Sequence, residues 1–554
     1  MSSPTQVLDI EALPASRPIT PSVNEEKKAL PSDRRHSMDD EEEEDEDEDG
    51  YPIGKTGYSI EQQATHWDSK WGALGKVFAF LIRHGCEARG IQPVALQDRE
   101  KVTPLSYLIQ TTLFATLNAN ILTISAGVLG PELFNLPLKS CVATILVFNA
   151  IAVLPVAYFA TFGPKLGLRQ MVLSRYTFGR WPNLVPAVLN VCTAVGFLSL
   201  TSILGGQLLS LASGGTLSWS LGIVLVGLIG ILPSFLGLRA IHLYSLSILP
   251  ISLIIHIAIV GLSAPSLAYV SEGERVMNAT TTAGSVLGFG STIIGFAATY
   301  ASFASDFTTY LPPNTSAPIL ASCVWIGLFA PLVLLQILGA AFYLVAMALP
   351  SWDQALEANG VAGLVAAAVG SGAGGKCLLV LSALIVTGNG SCTVYSIGLS
   401  AQAAAPWLML IPRYFLALLV TFVYVPIALA LSSHFSSYLS NFLYILSYWI
   451  SLYVAPLAWE NILFRNPITV GQGGTYDLTG WSDKKKLPIG YAAIASWVVG
   501  VPAVTAGISQ LWWVGWAAAR IEGGKGDIGF ILGFSACSLV FIPARYIERR
   551  YIGR

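Results

Sequence analysis

TLNANILTISAGVLGP, Thr116 to Pro131, is the stretch on which the fold turns. It sits in an apolar block of membrane-spanning length, yet it holds Thr116, Asn118, Asn120 and Thr123 as well as two glycines. Backbone groups in lipid must be satisfied within the segment. A polar side chain there is costly and calls for a specific role. A second stretch has the same character, GFGSTIIGFAATYASFASDFTTYLP, from Gly288 to Pro312. About five apolar blocks separate the two. Interrupted spans at corresponding places in two halves point to a solute site built from inverted repeats. Unwound backbone is expected at both interruptions, which hold glycine and polar residues. Glycine as a close-packing residue between helices is the competing reading.

Outward from these stretches the chain is apolar throughout. Its 554 residues are 53% hydrophobic and 12% charged, with mean hydropathy +0.61. Soluble domains carry roughly 25% charged residues, so an ordinary soluble enzyme is excluded. Blocks of spanning length fall at 107–130, 138–162, 184–211, 217–237, 242–262, 284–304, 318–347, 363–390, 409–431, 438–459, 491–517 and 526–545. The expected fold is an all-α integral membrane protein of twelve transmembrane helices filling 105–546. The first and sixth spans are broken. Odd repeat size would make the two halves antiparallel.

Net charge is −2, but Asp39 to Asp49 is an unbroken acidic run. Setting its eleven residues aside leaves 22 acidic against 31 basic residues, a surplus of nine. Residues 1–50 are too polar to build a core and are expected to form a disordered acidic cytoplasmic tail. That tail is either a solvated spacer or a docking element for trafficking or regulatory proteins. Residues 51–104 form a cytoplasmic N-terminal segment, with Trp67 and Trp71 as interfacial anchors. Residues 547–554 form a cytoplasmic C-terminal tail. Lys165, Arg169, Arg175, Arg180, Arg239, Arg465, Lys484 to Lys486 and Arg545 to Arg554 concentrate on one side, which places both termini in the cytoplasm. The sequon at Asn278 falls on the opposite side.

Seven cysteines are scattered with no CxxC and no His/Cys cluster, so no metal, cofactor or disulfide framework is expected. No Walker A motif is present. No catalytic constellation and no nucleic-acid partner is expected. The partners foreseen are a small solute and the lipid bilayer.

The run TFGPKLGLRQMVLSRYTFG, Thr161 to Gly179, resembles the loop between helices 2 and 3 of the nucleobase-cation symporter-1 family, in particular its fungal purine-cytosine permeases. ASDFTTYLP at 304–312, TVYSIGLSAQ at 393–402, YDLTGWSDKKKLPIG at 476–490, GDIGF and the closing RYIERRYIGR add to the resemblance, which covers roughly 50–554. It implies a five-plus-five inverted repeat with two extra C-terminal helices, located in the plasma membrane. It also implies import of a nucleobase-like heterocycle with a cation by alternating access.

A flat heterocycle needs an aromatic platform and carboxamides that donate and accept together. On the family's motifs, Thr116 and Asn118 of the first span match a Ser-Ala-Asn triplet. Asn389 matches the first of an Asn-Asn pair in the eighth span. Tyr300 stands where Trp is usual, and Phe197 where an aromatic is usual. Asn120 is expected to point elsewhere, and Gln207 serves the site or helix contact. Gly390 replaces the second Asn, and Thr201 stands where Asn is frequent. These departures leave purine, cytosine, a vitamin B6 vitamer or another heterocycle open. A non-transporting nutrient sensor is the alternative of another class.

The coupling ion is expected to be H⁺, with Na⁺ second. The candidate carriers are Asp306, Glu460, His256, His242 and Glu132. His256 lies mid-span with a suitable ordinary pKa, and Asp306 reads as a gate or cap near Arg169 or Arg175. The acid that many relatives carry after a His-x-Tyr motif is Ser245 here. Sodium-coupled relatives carry two hydroxyls before the Asn of the eighth span, where this chain has Ser382 alone.

Overall fold

The computed structural model describes residues 90–554 except 236, 406–407, 409–410, 412, 466–475 and 554, together with 76 and 80. The acidic tail, Trp67 and Trp71 lie outside the described residues.

The protein is an all-α integral membrane protein. Among the described residues, eight helices are long and apolar enough to cross a bilayer, or nine when one bent pair counts as a single span. That pair is α1, Pro104–Asn118, and α2, Ile121–Phe134, bent by 53°. There follow α3, Leu138–Ala160; α4, Leu184–Ala212; α5, Trp219–Phe235; α6, Leu238–Leu267; and α7, Ala283–Ala298. After them come α8, Ala317–Ala348; α9, Pro350–Val369; α10, Ala373–Ala404; α11, Arg413–Leu431; and α12, Phe435–Trp459. The last two are α13, Tyr491–Gly507, and α14, Gly529–Ile552.

Two apolar blocks divide differently from the hydropathy. The block at 363–390 straddles α9 and α10, because Gly370 takes a left-handed φ of 75° and the run Gly370-Ser371-Gly372 ends one helix and caps the next. Asn389 therefore sits mid-way along α10 rather than at a helix end. The block at 491–517 ends as helix at Gly507. Its apolar remainder forms a hairpin, β1 Ser509–Gln510 paired antiparallel with β2 Trp513–Val514. Leu511, Trp512 and Trp513 in the hairpin, and Trp516 beyond it, stand exposed, an arrangement typical of a membrane interface.

The inside-out distribution of apolar residues marks the lipid face. Ile254, Ile257, Leu334, Phe422 and Val498 are all exposed, which only a hydrocarbon surround makes favourable. The interior is formed where α4 packs on α10, α8 on α1, α2 and α3, and α7 on α3 and α12. Glycine sets how closely these helices approach. A Cβ on Gly127 would lie 1.9 Å from the Gln336 carbonyl oxygen, and one on Gly295 1.8 Å from that of Leu443.

At one end of the bundle, the end expected to be cytoplasmic, α14 is clamped to α12 and α13 by buried charge. Arg545 donates to both carboxylate oxygens of Glu460, at 2.7 and 2.9 Å, and Arg465 adds a third contact at 2.9 Å. The Glu548 carboxylate accepts from the backbone N–H groups of Gly490, Tyr491 and Ala492 and so caps the start of α13.

Candidate functional site

The first span does not break at its glycines. It breaks at Asn118-Ala119-Asn120, and the sequence there supplies its own replacement hydrogen bonds. Ala119 leaves the helix with ψ 57° and Asn120 is extended. The Asn120 carboxamide accepts from Leu122 N–H at 2.9 Å, capping α2, and donates to the Leu117 carbonyl at 2.9 Å. Thr123 Oγ1 donates to the Asn118 carbonyl at 2.6 Å, and Ser252 Oγ of α6 donates to the Ala119 carbonyl at 2.6 Å. Without these partners the freed carbonyls would be costly to bury.

The sixth span behaves likewise. Its glycines lie within intact α7 as contact points: a Cβ on Gly290 would meet the Phe148 ring at 2.4 Å. The α-helix ends at Ala298 and continues as 3₁₀ turns, Thr299–Ser302 and Ala304–Phe307, separated at Phe303. Of the glycine and polar residues expected to interrupt these spans, the glycine part of the expectation is corrected. Polar residues that can bond their own backbone mark the breaks, and glycines mark close packing.

The two breaks meet at one buried cluster. Tyr300 OH donates to Asn118 Oδ1 at 2.9 Å and accepts from Asn389 Nδ2 at 3.5 Å. Asn389 Nδ2 also donates to the Leu117 carbonyl, and its Oδ1 accepts from Thr393 Oγ1 at 3.1 Å. Every polar atom of Asn389 is thus engaged, whereas Asn118 Nδ2 is buried with no partner. The Phe197 ring lies alongside Tyr300, centroids 6.2 Å apart and planes 24° apart. Phe303 closes on Tyr300 edge-on at 5.4 Å, and Phe296 and Phe442 pack edge-on against Phe197. Carboxamides on one side of a tyrosine and aromatic edges around it suit a flat polar ring.

Other candidates fall outside this cluster. Thr116 Oγ1 donates to the Thr112 carbonyl at 2.7 Å and to that of Ser245 at 3.3 Å, so it faces α6. Thr201 Oγ1 is spent on the Phe197 and Leu198 carbonyls of its own helix, both at 3.0 Å. Gly390 is not compelled by crowding, since a Cβ there meets only Leu198 at 3.7 Å. His256 Nδ1 lies 2.7 Å from the Ser252 carbonyl, behind the break of the first span. Asn278 is exposed, with a left-handed φ of 50°.

Asp306 lies at the far end of the broken sixth span. Its carboxylate accepts from Gln170 N–H at 2.8 Å and from Ser396 Oγ at 2.7 Å, while Arg169 donates to its backbone carbonyl at 2.6 Å. Gln170 continues to Tyr453 OH at 3.2 Å, and Arg175 donates to the Ala403 carbonyl at 3.0 Å. The loop after α3 is thereby tied to the sixth span, α10 and α12 on this side of the site.

The sequence reading passed over Asn190. Its Nδ2 donates to Ser400 Oγ at 2.8 Å and its Oδ1 accepts from Ser302 Oγ, joining α4, α10 and the broken sixth span. The signal was present: Asn190 is seven residues before Phe197, and therefore on the same face of an otherwise apolar helix.

Residues 100–515 match the family described as permeases for cytosine/purines, uracil, thiamine and allantoin. A purine-cytosine permease of Emericella nidulans is 31% identical over 494 residues, covering 88% of this chain and 94% of the relative. A vitamin B6 transporter of Saccharomyces cerevisiae is 28% identical over 517 residues, covering 85% and 89%. Among solved structures, the nucleobase-cation-symport-1 transporter Mhp1, closed with bromovinylhydantoin bound, superposes with TM-score 0.62 at 17% identity, over 83% of this chain and 95% of that one. This last likeness speaks for the fold.

Proposed function

The chain belongs to the family of permeases for cytosine/purines, uracil, thiamine and allantoin and is a membrane transporter rather than an enzyme, and we propose that it imports a nucleobase-like heterocycle of purine or cytosine type together with a cation. The observation that carries this reading is the Asn118–Tyr300–Asn389 cluster, where two helix breaks and α10 converge on an aromatic face. The relatives named for purines and cytosine, 31% identical over most of their length, support it.

Within this reading the substrate's ring lies against Tyr300 and Phe197. Asn118 Nδ2, the buried donor with no partner, takes a ring nitrogen or carbonyl. Asn389 positions the broken turn of α1 by holding the Leu117 carbonyl. Asp306 and the Arg169–Gln170 turn close the cytoplasmic side, and their release opens it. Transport is secondary-active alternating access, with H⁺ as the coupling ion.

The architecture under this reading is twelve spans. The bent pair α1–α2 counts once. The short helices α5 and α13 cross, and the long apolar stretch Phe415–Phe464 divides at Ser432–His434. The breaks, in spans one and six, suit a five-plus-five inverted repeat followed by two further helices. Both termini are cytoplasmic, and the membrane is the plasma membrane.

A vitamin B6 vitamer is the second reading, favoured by the 28% identical relative named for it. Uptake of radiolabelled adenine, cytosine and pyridoxine in cells lacking their own permeases tests both. Saturable purine or cytosine uptake is expected. No uptake of any purine, pyrimidine or pyridine vitamer despite surface expression would sink the importer reading.

A further inference from the structure

Tyr300 is held at two ends. Its hydroxyl is fixed by Asn118 and Asn389. Its backbone lies in the 3₁₀ turn Thr299–Ser302, where the sixth span has left the α-helix. Leaving a helix frees backbone groups, and buried ones must find other partners.

The bonds at the break show which partner the Ser302 carbonyl finds. Its α-helical donor would be Asp306 N–H, which bonds the Phe303 carbonyl instead, at 3.1 Å. Its 3₁₀ donor would be Ser305 N–H, which bonds Gln170 Oε1 instead, at 3.3 Å. The Ser302 carbonyl turns to α4, where Asn190 Nδ2 approaches it at 3.4 Å.

Asn190 meets Ser302 a second time, since its Oδ1 accepts from Ser302 Oγ. Ser302 Oγ also lies 2.7 Å from the Thr299 carbonyl, at the start of the same turn. One carboxamide thus binds the carbonyl and the hydroxyl of the residue that ends the turn of Tyr300. Asn190 is fixed in its own place by α10, because Nδ2 donates to Ser400 Oγ at 2.8 Å. Asn190, Ser302 and Ser400 are all buried. About two helical turns along the same face of α4 stands Phe197, the ring that lies alongside Tyr300. So α4 carries one ring of the aromatic face and also holds the backbone of the other.

We propose that Asn190 is a positioning residue for the heterocycle: by holding Ser302 it sets the plane of the Tyr300 ring against Phe197, and so governs which flat solutes fit. Asn190 touches no solute, because both polar atoms of its side chain are engaged within the protein. The inference rests on the importer reading and adds a determinant of selectivity to the same site. Without Asn190 the Ser302 carbonyl has no side-chain donor, and the turn is free to rewind toward Asp306 N–H. The Tyr300 hydroxyl stays anchored, so the ring remains in the site while its plane is no longer fixed. A solute that fits that plane well loses most, and one that fits it poorly loses least.

The experiment uses the purified full-length protein and equilibrium binding of radiolabelled adenine, with cytosine in parallel. Unlabelled adenine, cytosine, uracil and pyridoxine compete. Asn190→Ala is expected to bind the preferred solute at least about tenfold more weakly, as when a buried hydrogen-bonding partner is lost. The spread between best and poorest competitor is expected to shrink with it. Ser302→Ala removes the hydroxyl from the same turn and is expected to shift selectivity in the same direction. The double variant is expected to be no more altered than Asn190→Ala, because residues in one hydrogen-bond network do not act additively. Asn190→Leu, apolar and of similar size, carries the same expectation where the alanine variant does not fold. A purely structural role would lower the melting temperature of Asn190→Ala and leave the spread of competitors as in wild type. That result, or additive effects in the double variant, would overturn the proposal and leave the importer reading standing. Absence of binding by wild type for every heterocycle would overturn the importer reading and the proposal with it.

Discussion

Asn389 shows how a residue at a motif position can be fully engaged within the protein. The eighth-span match singled it out, and the structure places it beside Tyr300 and Asn118. Its amide hydrogens already bind the Leu117 carbonyl and Tyr300 OH, and its oxygen is held by Thr393. Asn389→Ala removes a partner from a buried carbonyl, a loss of about 1–3 kcal/mol. Uptake is expected to fall about tenfold or more, with surface level intact by epitope labelling. Wild-type uptake in that variant would remove it from the site. Asn118 and Asn389 were legible because a carboxamide inside a membrane span is costly and calls for a role, and Tyr300 through its place on the family's motif. Their division of labour was not, because it depends on which atoms neighbouring spans have already engaged. Thr116 and Thr201 illustrate the limit. Thr116 matches a motif position and Thr201 departs from one, yet both hydroxyls bond backbone carbonyls, Thr201 only those of its own helix.

At the scale of the element, the interruptions expected at glycine and polar residues fall at the polar ones, while the glycines pack. Glycine in α7 lets α12 approach so closely that a Cβ on Gly295 would overlap the Leu443 carbonyl. Gly295→Ala is expected to cost about 1–3 kcal/mol by overpacking, read as a lower melting temperature in detergent and reduced surface level. An unchanged melting temperature would show that α7 and α12 do not pack this closely. The break itself is built by Asn118, Asn120 and Thr123, which replace lost helical bonds with side-chain ones. Sequence composition cannot separate these two roles of small and polar residues, since both lower hydropathy in the same window. The division of 363–390 between α9 and α10 was missed for a related reason. Three small residues at 370–372 barely lower the average hydropathy, but the left-handed turn at Gly370 ends the helix.

For the whole molecule, one group of buried charges holds α14 to α12 and α13. Glu460, Arg545 and Glu548 form a buried network, and removing one member strands the others. Arg545→Ala is expected to destabilise by about 3–5 kcal/mol, seen as retention inside the cell and early thermal unfolding. Normal surface level and melting would show that α14 is not held by this network. The near-zero net charge conceals this arrangement. The acidic run lies at 39–49, while the basic residues cluster in loops and a C-terminal segment that their own distribution would place on the cytoplasmic side.

Asn118 Nδ2 is the open donor of the cluster between the two breaks, and the proposed site depends on it. Equilibrium binding of radiolabelled adenine or cytosine to the purified protein, wild type against Asn118→Ala, tests that claim most directly. Saturable binding is expected in wild type, displaced by flat heterocycles with a ring acceptor. Asn118→Ala is expected to bind at least about tenfold more weakly, as when a buried ligand contact is lost, and to melt somewhat earlier because the Tyr300 hydroxyl loses its acceptor. Equal affinity in the two proteins would contradict it.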